Sequence, residues 1–138
     1  MTDLLGFLLG LGFIVPSFYL SRRWNIDGWF WAAALISLPF FYVGFGLLAH
    51  DGAAIRAELI WGAPYILTGA LLLISRARSA GALYLLAGFW LVHAAYDVWH
   101  DLLFINPGVW EIYPAFCAAI DFSVAAYLVY LARKPISA

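Results

Sequence analysis

The sequence predicts an all-α integral membrane protein, a bundle of five transmembrane helices, on three observations. Of its 138 residues, 66% are hydrophobic and 11% are charged, whereas a soluble domain carries about 25% charged residues to keep its surface wetted. The apolar residues fall into five stretches close to the roughly 17–25 residues that cross a bilayer as a helix. The basic residues, finally, gather behind alternate stretches, as positive charge does on the cytoplasmic side of a membrane.

The five spans are expected at Leu4–Leu20, Trp29–Ala49, Leu59–Ile74, Ala82–Phe104 and Ala115–Ala132. The third is the shortest and has room to extend back through Ile55 to Glu58. Arg22 and Arg23 follow the first span, Arg76 and Arg78 the third, Arg133 and Lys134 the fifth. That side is therefore expected to be cytoplasmic, with the N-terminus outside and the C-terminus in the cytoplasm. The other side holds Asp3, Asp51, Glu58, Asp101 and Glu111, with Arg56 as its one basic residue. Trp24, Trp29 and Trp31 near the inner boundary and Trp61, Trp99 and Trp110 near the outer one fit an aromatic belt. The first span has no basic residue before it, so it is expected to stay as a membrane helix and not to be cleaved as a signal peptide.

The chain is expected to form one domain over residues 1–138, a multi-pass protein of a bacterial-type inner membrane. A formal charge of -1 gives no reason to expect nucleic acid as a partner. Cys117, the single cysteine, rules out an internal disulfide and a cysteine-based metal cluster. Membrane lipids and an apolar or amphiphilic small molecule are the expected partners. Small residues spaced along the helices, such as Gly6 and Gly10, Gly62 and Gly69, or Gly81 and Gly88, suit close helix packing within the chain or in a homo-oligomer.

A repeated polar pattern is the most specific feature. His50-Asp51 closes the second span and Glu58 opens the third; His100-Asp101 closes the fourth and Glu111 precedes the fifth. Two of three histidines precede aspartate, and both glutamates close these loops. The pattern suggests two pseudo-repeated hairpins, spans two to three and four to five, with the first span as an addition.

A second constellation overlaps the first. On a helix with about 100° per residue, His93, Asp97, His100 and Asp101 share one stripe. Counting about 1.5 Å per residue from the outer ends, Asp97 and Asp121 lie at nearly equal depth, roughly 10 and 9 Å down. Each ionisable group at the centre of a spanning helix costs about 2.5–3.5 kcal/mol on insertion scales. Such groups persist when they pair, face water or do chemistry. His93, Asp97 and Asp121 are therefore the expected acid–base residues.

Histidine with carboxylate also suits zinc or iron. His93 and His100 are about 10.5 Å apart along their helix, too far for one ion. A metal set is thus expected to combine His100, with Asp97 or Asp101, with His50 and a carboxylate from the opposite hairpin, so that His50, Asp51, Glu58, His100, Asp101 and Glu111 are the candidate ligands. Three classes of function follow: an enzyme acting on a lipid-like or isoprenoid amphiphile, a non-catalytic subunit binding a small ligand or haem, and a cation or proton transporter. The transporter is weakened because no ionisable residue falls in the inner halves of the spans.

The orientation is open to direct test. In a Cys117→Ser background, single cysteines at Ala53 and Gly108 should react with impermeant thiol reagents from outside, and one at Ser79 should not. The reverse pattern would invert the topology.

Overall fold

The computed structural model describes residues 1–75 and 79–134. It contains five helices, α1 (Thr2–Arg23), α2 (Asp27–Leu48), α3 (Gly52–Ile74), α4 (Ala80–Leu103) and α5 (Tyr113–Ala132), and no strand among the described residues. All five are long and apolar enough to cross a membrane. Each expected span corresponds to one helix. The third is the one that grows most, starting at Gly52 because Asp51 caps it: the carboxylate accepts from the backbone N–H groups of Ala53 and Ala54 at 2.8 and 3.0 Å. Pro16, Pro39 and Pro64 are all accommodated inside helices.

The first two connections use the same device. Asn25 and His50 adopt left-handed backbone conformations, with φ of 53° and 55°. After α1, Asn25 N–H donates to the Arg22 carbonyl and Ile26 N–H to that of Ser21; after α2, His50 donates to Leu47 and Asp51 to Gly46. This paired arrangement satisfies the last helical carbonyls and reverses the chain in three residues each time. The longer connection from α4 to α5 folds inward instead. Its Asn106 is buried, and Gly108 lies against the backbone of Phe45 so closely that a Cβ would overlap it. A cysteine at Gly108 is therefore an unsuitable topology probe, and the exposed Glu111 serves that purpose on the same connection.

Two modes of packing organise the bundle. Within the α2–α3 hairpin, and between α1 and α5, backbones meet through glycine. A Cβ on Gly62 would strike Pro39, and one on Gly69 would meet Ile36 and the Ala32 carbonyl. Gly6 and Gly10 bring α1 onto Ile112 and Phe116 at the start of α5. Gly81 and Gly88, by contrast, meet nothing within 4 Å, so their heptad spacing is not used inside the chain.

Large side chains fill the space between the hairpins. Trp31 of α2 meets Trp90 of α4 and Tyr127 of α5 edge-on, while Tyr42 of α2 meets Tyr96 of α4 and Tyr113 of α5. Trp31 is 2% exposed, which places it in the core and not in the expected aromatic belt; its ring points inward because it lies on the same face of α2 as the buried Leu35 and Tyr42. Leu35, Leu86, Val124 and Leu128 pack with Trp31 and Trp90 into an apolar core.

Exposed charges separate by end. Arg22, Arg23, Arg133 and Lys134 gather at the end where α1 and α5 finish, hereafter the basic end; Arg76 and Arg78 lie outside the described residues. Arg56, Asp101 and Glu111 are exposed at the opposite, acidic end. The basic end also holds a polar knot that hydropathy does not reveal. Asp27, the first residue of α2, is buried and accepts from Ser21 Oγ and Tyr127 Oη, each at 2.8 Å, with Arg22 Nη1 at 3.4 Å.

The glycine contacts give a stability prediction. Gly62→Val forces a side chain onto Pro39 and should destabilise the bundle by about 1–3 kcal/mol, the usual range for overpacking. Gly88→Ala, with open space around it, should be neutral or should stabilise by up to about 1 kcal/mol through reduced backbone freedom. Thermal unfolding of the two variants in the same detergent compares them directly.

Candidate functional site

Every buried ionisable group of α3 and α4, with Asp121 of α5, lies in the half of the bundle toward the acidic end or at its middle. They form two layers. The deeper layer is centred on His93, halfway along α4, where the helix faces both α2 and α5. His93 Nδ1 lies 2.7 Å from Asp121 Oδ2 and 3.4 Å from Asp97 Oδ2. Tyr42 Oη donates to the other Asp97 oxygen, Oδ1, at 2.8 Å. The Tyr65 ring stands edge-on against the imidazole with centroids 4.9 Å apart. His93, Asp97 and Asp121 are each at most 1% exposed.

This layer follows from helical spacing. His93 and Asp97 are one turn apart on α4, so their side chains leave the same face. Asp121 comes from the adjacent antiparallel helix at the same depth. The expected grouping of these three is what the structure brings together. Their ligating atoms all lie within 4.8 Å of one another. Two oxygens, Asp97 Oδ2 and Asp121 Oδ1, are buried with no hydrogen-bond partner.

The upper layer is built around Glu58, which is 1% exposed. His100 Nε2 lies 3.0 Å from Glu58 Oε1, Asn106 Nδ2 donates to the same oxygen at 2.7 Å, and Tyr96 Oη donates to Oε2 at 2.5 Å. Asn106 also donates to the Tyr42 carbonyl at 3.0 Å. The other imidazole nitrogen, Nδ1, lies 3.2 Å from Asp101 Oδ1, a carboxylate whose side chain is 82% exposed. A buried carboxylate is thereby surrounded by three donors from α4 and its following loop, which satisfies the requirement that buried charge be paired and hydrogen-bonded.

Tyr42 joins the two layers. Its hydroxyl serves Asp97 below, its carbonyl accepts from Asn106 above, and its ring stacks on His100 with centroids 4.7 Å apart and planes 20° apart. A narrow gap lined by Pro39, Glu58, Gly62, Tyr65, His93 and Tyr96 also separates Glu58 from His93, and it is too tight to hold a water molecule.

The remaining sequence-derived candidates lie elsewhere. His50 is exposed, and its left-handed backbone ends α2, while Asp51 spends its carboxylate on capping α3. Neither joins the buried layers. Glu111 is exposed. Asp101 reaches the network only from its surface, through His100. The two hairpins do meet in one polar network, but through Glu58 and His100, not through His50 and His100. Tyr42 and Asn106 were not among the expected site residues. An Asn-Pro-Gly run reads first as a turn, and a tyrosine in an apolar span reads first as packing.

No family model, curated protein or solved structure matches the chain. The chemistry of the site therefore rests on its own geometry.

Contact between Asp97, His93 and Asp121 predicts non-additive energetics. Asp97→Asn combined with Asp121→Asn should cost less stability than the two single changes summed, with a coupling of about 0.5–3 kcal/mol. Strict additivity in thermal unfolding would mean that the two carboxylates act independently.

Proposed function

We propose that the chain is a membrane-embedded enzyme that performs acid–base chemistry on a lipid-like or isoprenoid amphiphile, with His93, Asp97 and Asp121 as its reacting groups. One observation carries this reading: two carboxylates and an imidazole are in mutual contact at the middle of the bundle, and two of the carboxylate oxygens have no partner. A purely structural cluster gains from satisfying every lone pair, because an unsatisfied buried acceptor costs about 1–3 kcal/mol. Unused acceptors are what a substrate proton or polar head requires. An ionisable group inside a membrane protein is by default a functional-site candidate.

The reading accounts for the surroundings as well. The centre sets a carboxylate and an imidazole in contact as base and acid, so that one proton taken from the bound molecule and one returned to it balance without a further reactant. Glu58, His100 and the exposed Asp101 form a second polar layer between that centre and the acidic end, which in the proposed orientation faces outside. Entry runs laterally between α3 and α4. There the narrow gap beside Glu58 and His93 lies closest to the centre, and an apolar tail could remain among lipids.

Two other readings are less well supported. A proton or cation transporter needs a polar path to the basic end, but below His93 the interior is filled by Trp31, Leu35, Leu86, Trp90, Val124 and Leu128. Haem ligation by two histidines would require His93 or His100 to release the carboxylate it holds at 2.7 or 3.0 Å.

Solvent deuterium tests the proposal without knowledge of the product. Purified protein in nanodiscs should be incubated in D2O with a total lipid and isoprenoid extract, followed by mass spectrometry. The wild type should place deuterium in an amphiphile that His93→Gln and Asp121→Asn leave unlabelled. Equal labelling by all three proteins, or no labelled amphiphile with wild type, would sink the proposal.

A further inference from the structure

We infer that the His93–Asp97–Asp121 centre binds a divalent first-row transition-metal ion, with zinc as the representative cation. The inference deepens the reading of the same site as a reaction centre, by naming what fills it. It differs from the metal set expected from sequence, which was built on His50, Asp51, Glu58, His100, Asp101 and Glu111 and shares only the alternative ligand Asp97 with this centre. Those residues are either exposed, engaged in a helix cap or held in the upper hydrogen-bonded layer.

Three independent features point to a cation. The first is donor type and placement. One imidazole nitrogen and two carboxylate oxygens are a ligand set suited to zinc, iron or manganese. Around an ion with bonds of about 2.0–2.2 Å, donors in a tetrahedral site lie roughly 3.4 Å from one another. His93 Nδ1 already stands 3.4 Å from Asp97 Oδ2, and its 2.7 Å approach to Asp121 Oδ2 needs only a small widening.

The second feature is the unused lone pairs. Asp97 Oδ2 faces the imidazole without a hydrogen bond, and Asp121 Oδ1 has no partner at all, although both residues are essentially inaccessible. A proton on His93 Nδ1 serves one carboxylate oxygen at a time; a cation serves Asp97 and Asp121 together, and Asp121 Oδ1 allows a second bond from the same carboxylate.

The third feature is charge. Among the described residues no Lys or Arg contacts the layer, which is built from His93, Asp97, Asp121, Tyr42 and Tyr65. Two carboxylates and a neutral imidazole sum to a charge that one divalent cation cancels, and a neutral assembly is the least costly one to bury. Tyr42 Oη would remain on Asp97 Oδ1, fixing the ligand's orientation, a role whose loss typically weakens metal affinity by about 10- to 100-fold. Binding displaces the His93 Nδ1 proton to solvent, so affinity should fall as pH is lowered.

Metal analysis tests this apart from turnover. Protein purified without chelator, then stripped and titrated with Zn2+ alone, should take up one ion per chain. Asp121→Asn and His93→Gln should each lose most of that uptake, and Tyr42→Phe should retain it with about 10- to 100-fold weaker affinity. His50→Ala should bind as wild type does. Thermal melting of each variant with chelator establishes that it folds, so that lost uptake reports on the site. The inference is overturned if folded wild type takes up no Zn2+, or if His50→Ala loses uptake while Asp121→Asn keeps it. Zn2+ uptake without deuterium transfer would leave the metal site standing and remove the proposed reaction; deuterium transfer by a wild type that takes up no Zn2+ would do the opposite.

Discussion

Burial of Glu58 against α4 is the interaction on which the arrangement of the hairpins depends. A carboxylate at 1% exposure cannot be left to lipid or to an apolar neighbour. Its donors, His100, Tyr96 and Asn106, all belong to α4 or the loop after it. The carboxylate belongs to α3. Docking the α2–α3 hairpin against α4 and α5 is thus the way in which Glu58 becomes satisfied, and breaking a buried pair by removing one partner typically costs about 3–5 kcal/mol. Asn106 extends the effect, because it pulls the α4–α5 connection down onto the Tyr42 carbonyl and so closes the acidic end over the network.

The two packing modes divide the work. Glycine contacts set α2 on α3 and α1 on α5 at short range, where small residues let helix backbones approach in lipid. Between the hairpins, aromatic rings hold the backbones farther apart, and the space so created contains the polar layers. Tyr42 shows why aromatic residues suit that interface. Its ring stacks on His100, its edge meets Tyr96 and Tyr113, and its hydroxyl still reaches Asp97. A leucine there would fill space but leave Asp97 Oδ1 without a donor.

The sequence revealed the elements well and the partnerships only in part. Five helices follow from hydropathy, since in lipid the backbone must satisfy itself and a long apolar run has few alternatives to a helix. The nearness of Asp97 and Asp121 was legible because helical rise converts sequence position to depth. His50 misled for an equally physical reason. A His-Asp pair at a helix end has the same letters whether the aspartate binds an ion or caps the next helix, and here Asp51 caps. The Glu58–His100 pair joins positions 42 apart in the chain, and neither periodicity nor motif spacing specifies which face of one hairpin meets another. Asp27 precedes the expected second span, and its partner Tyr127 stands a hundred positions away, so nothing local in the sequence shows that it is a buried helix terminus.

The distribution of polarity along the bundle explains why a centre at His93 is blind on one side. Toward the acidic end lie two polar layers on either side of Tyr42: His93, Asp97 and the Tyr42 hydroxyl below, and the Tyr42 carbonyl, Asn106, Glu58, His100 and the exposed Asp101 above. Toward the basic end, the same helices present Trp31, Leu35, Leu86, Trp90 and Leu128, and the next polar group is the separate knot at Asp27. Two indole nitrogens lie in that apolar belt, Trp90 Nε1, which donates to the Trp31 carbonyl at 3.3 Å, and Trp31 Nε1, which is buried without a hydrogen-bond partner; neither adds a titratable step. Beyond His93, toward the basic end, the interior is thus apolar and close-packed. That asymmetry suits a reaction centre, which must exchange protons with one side while keeping the membrane sealed, better than it suits a conduit.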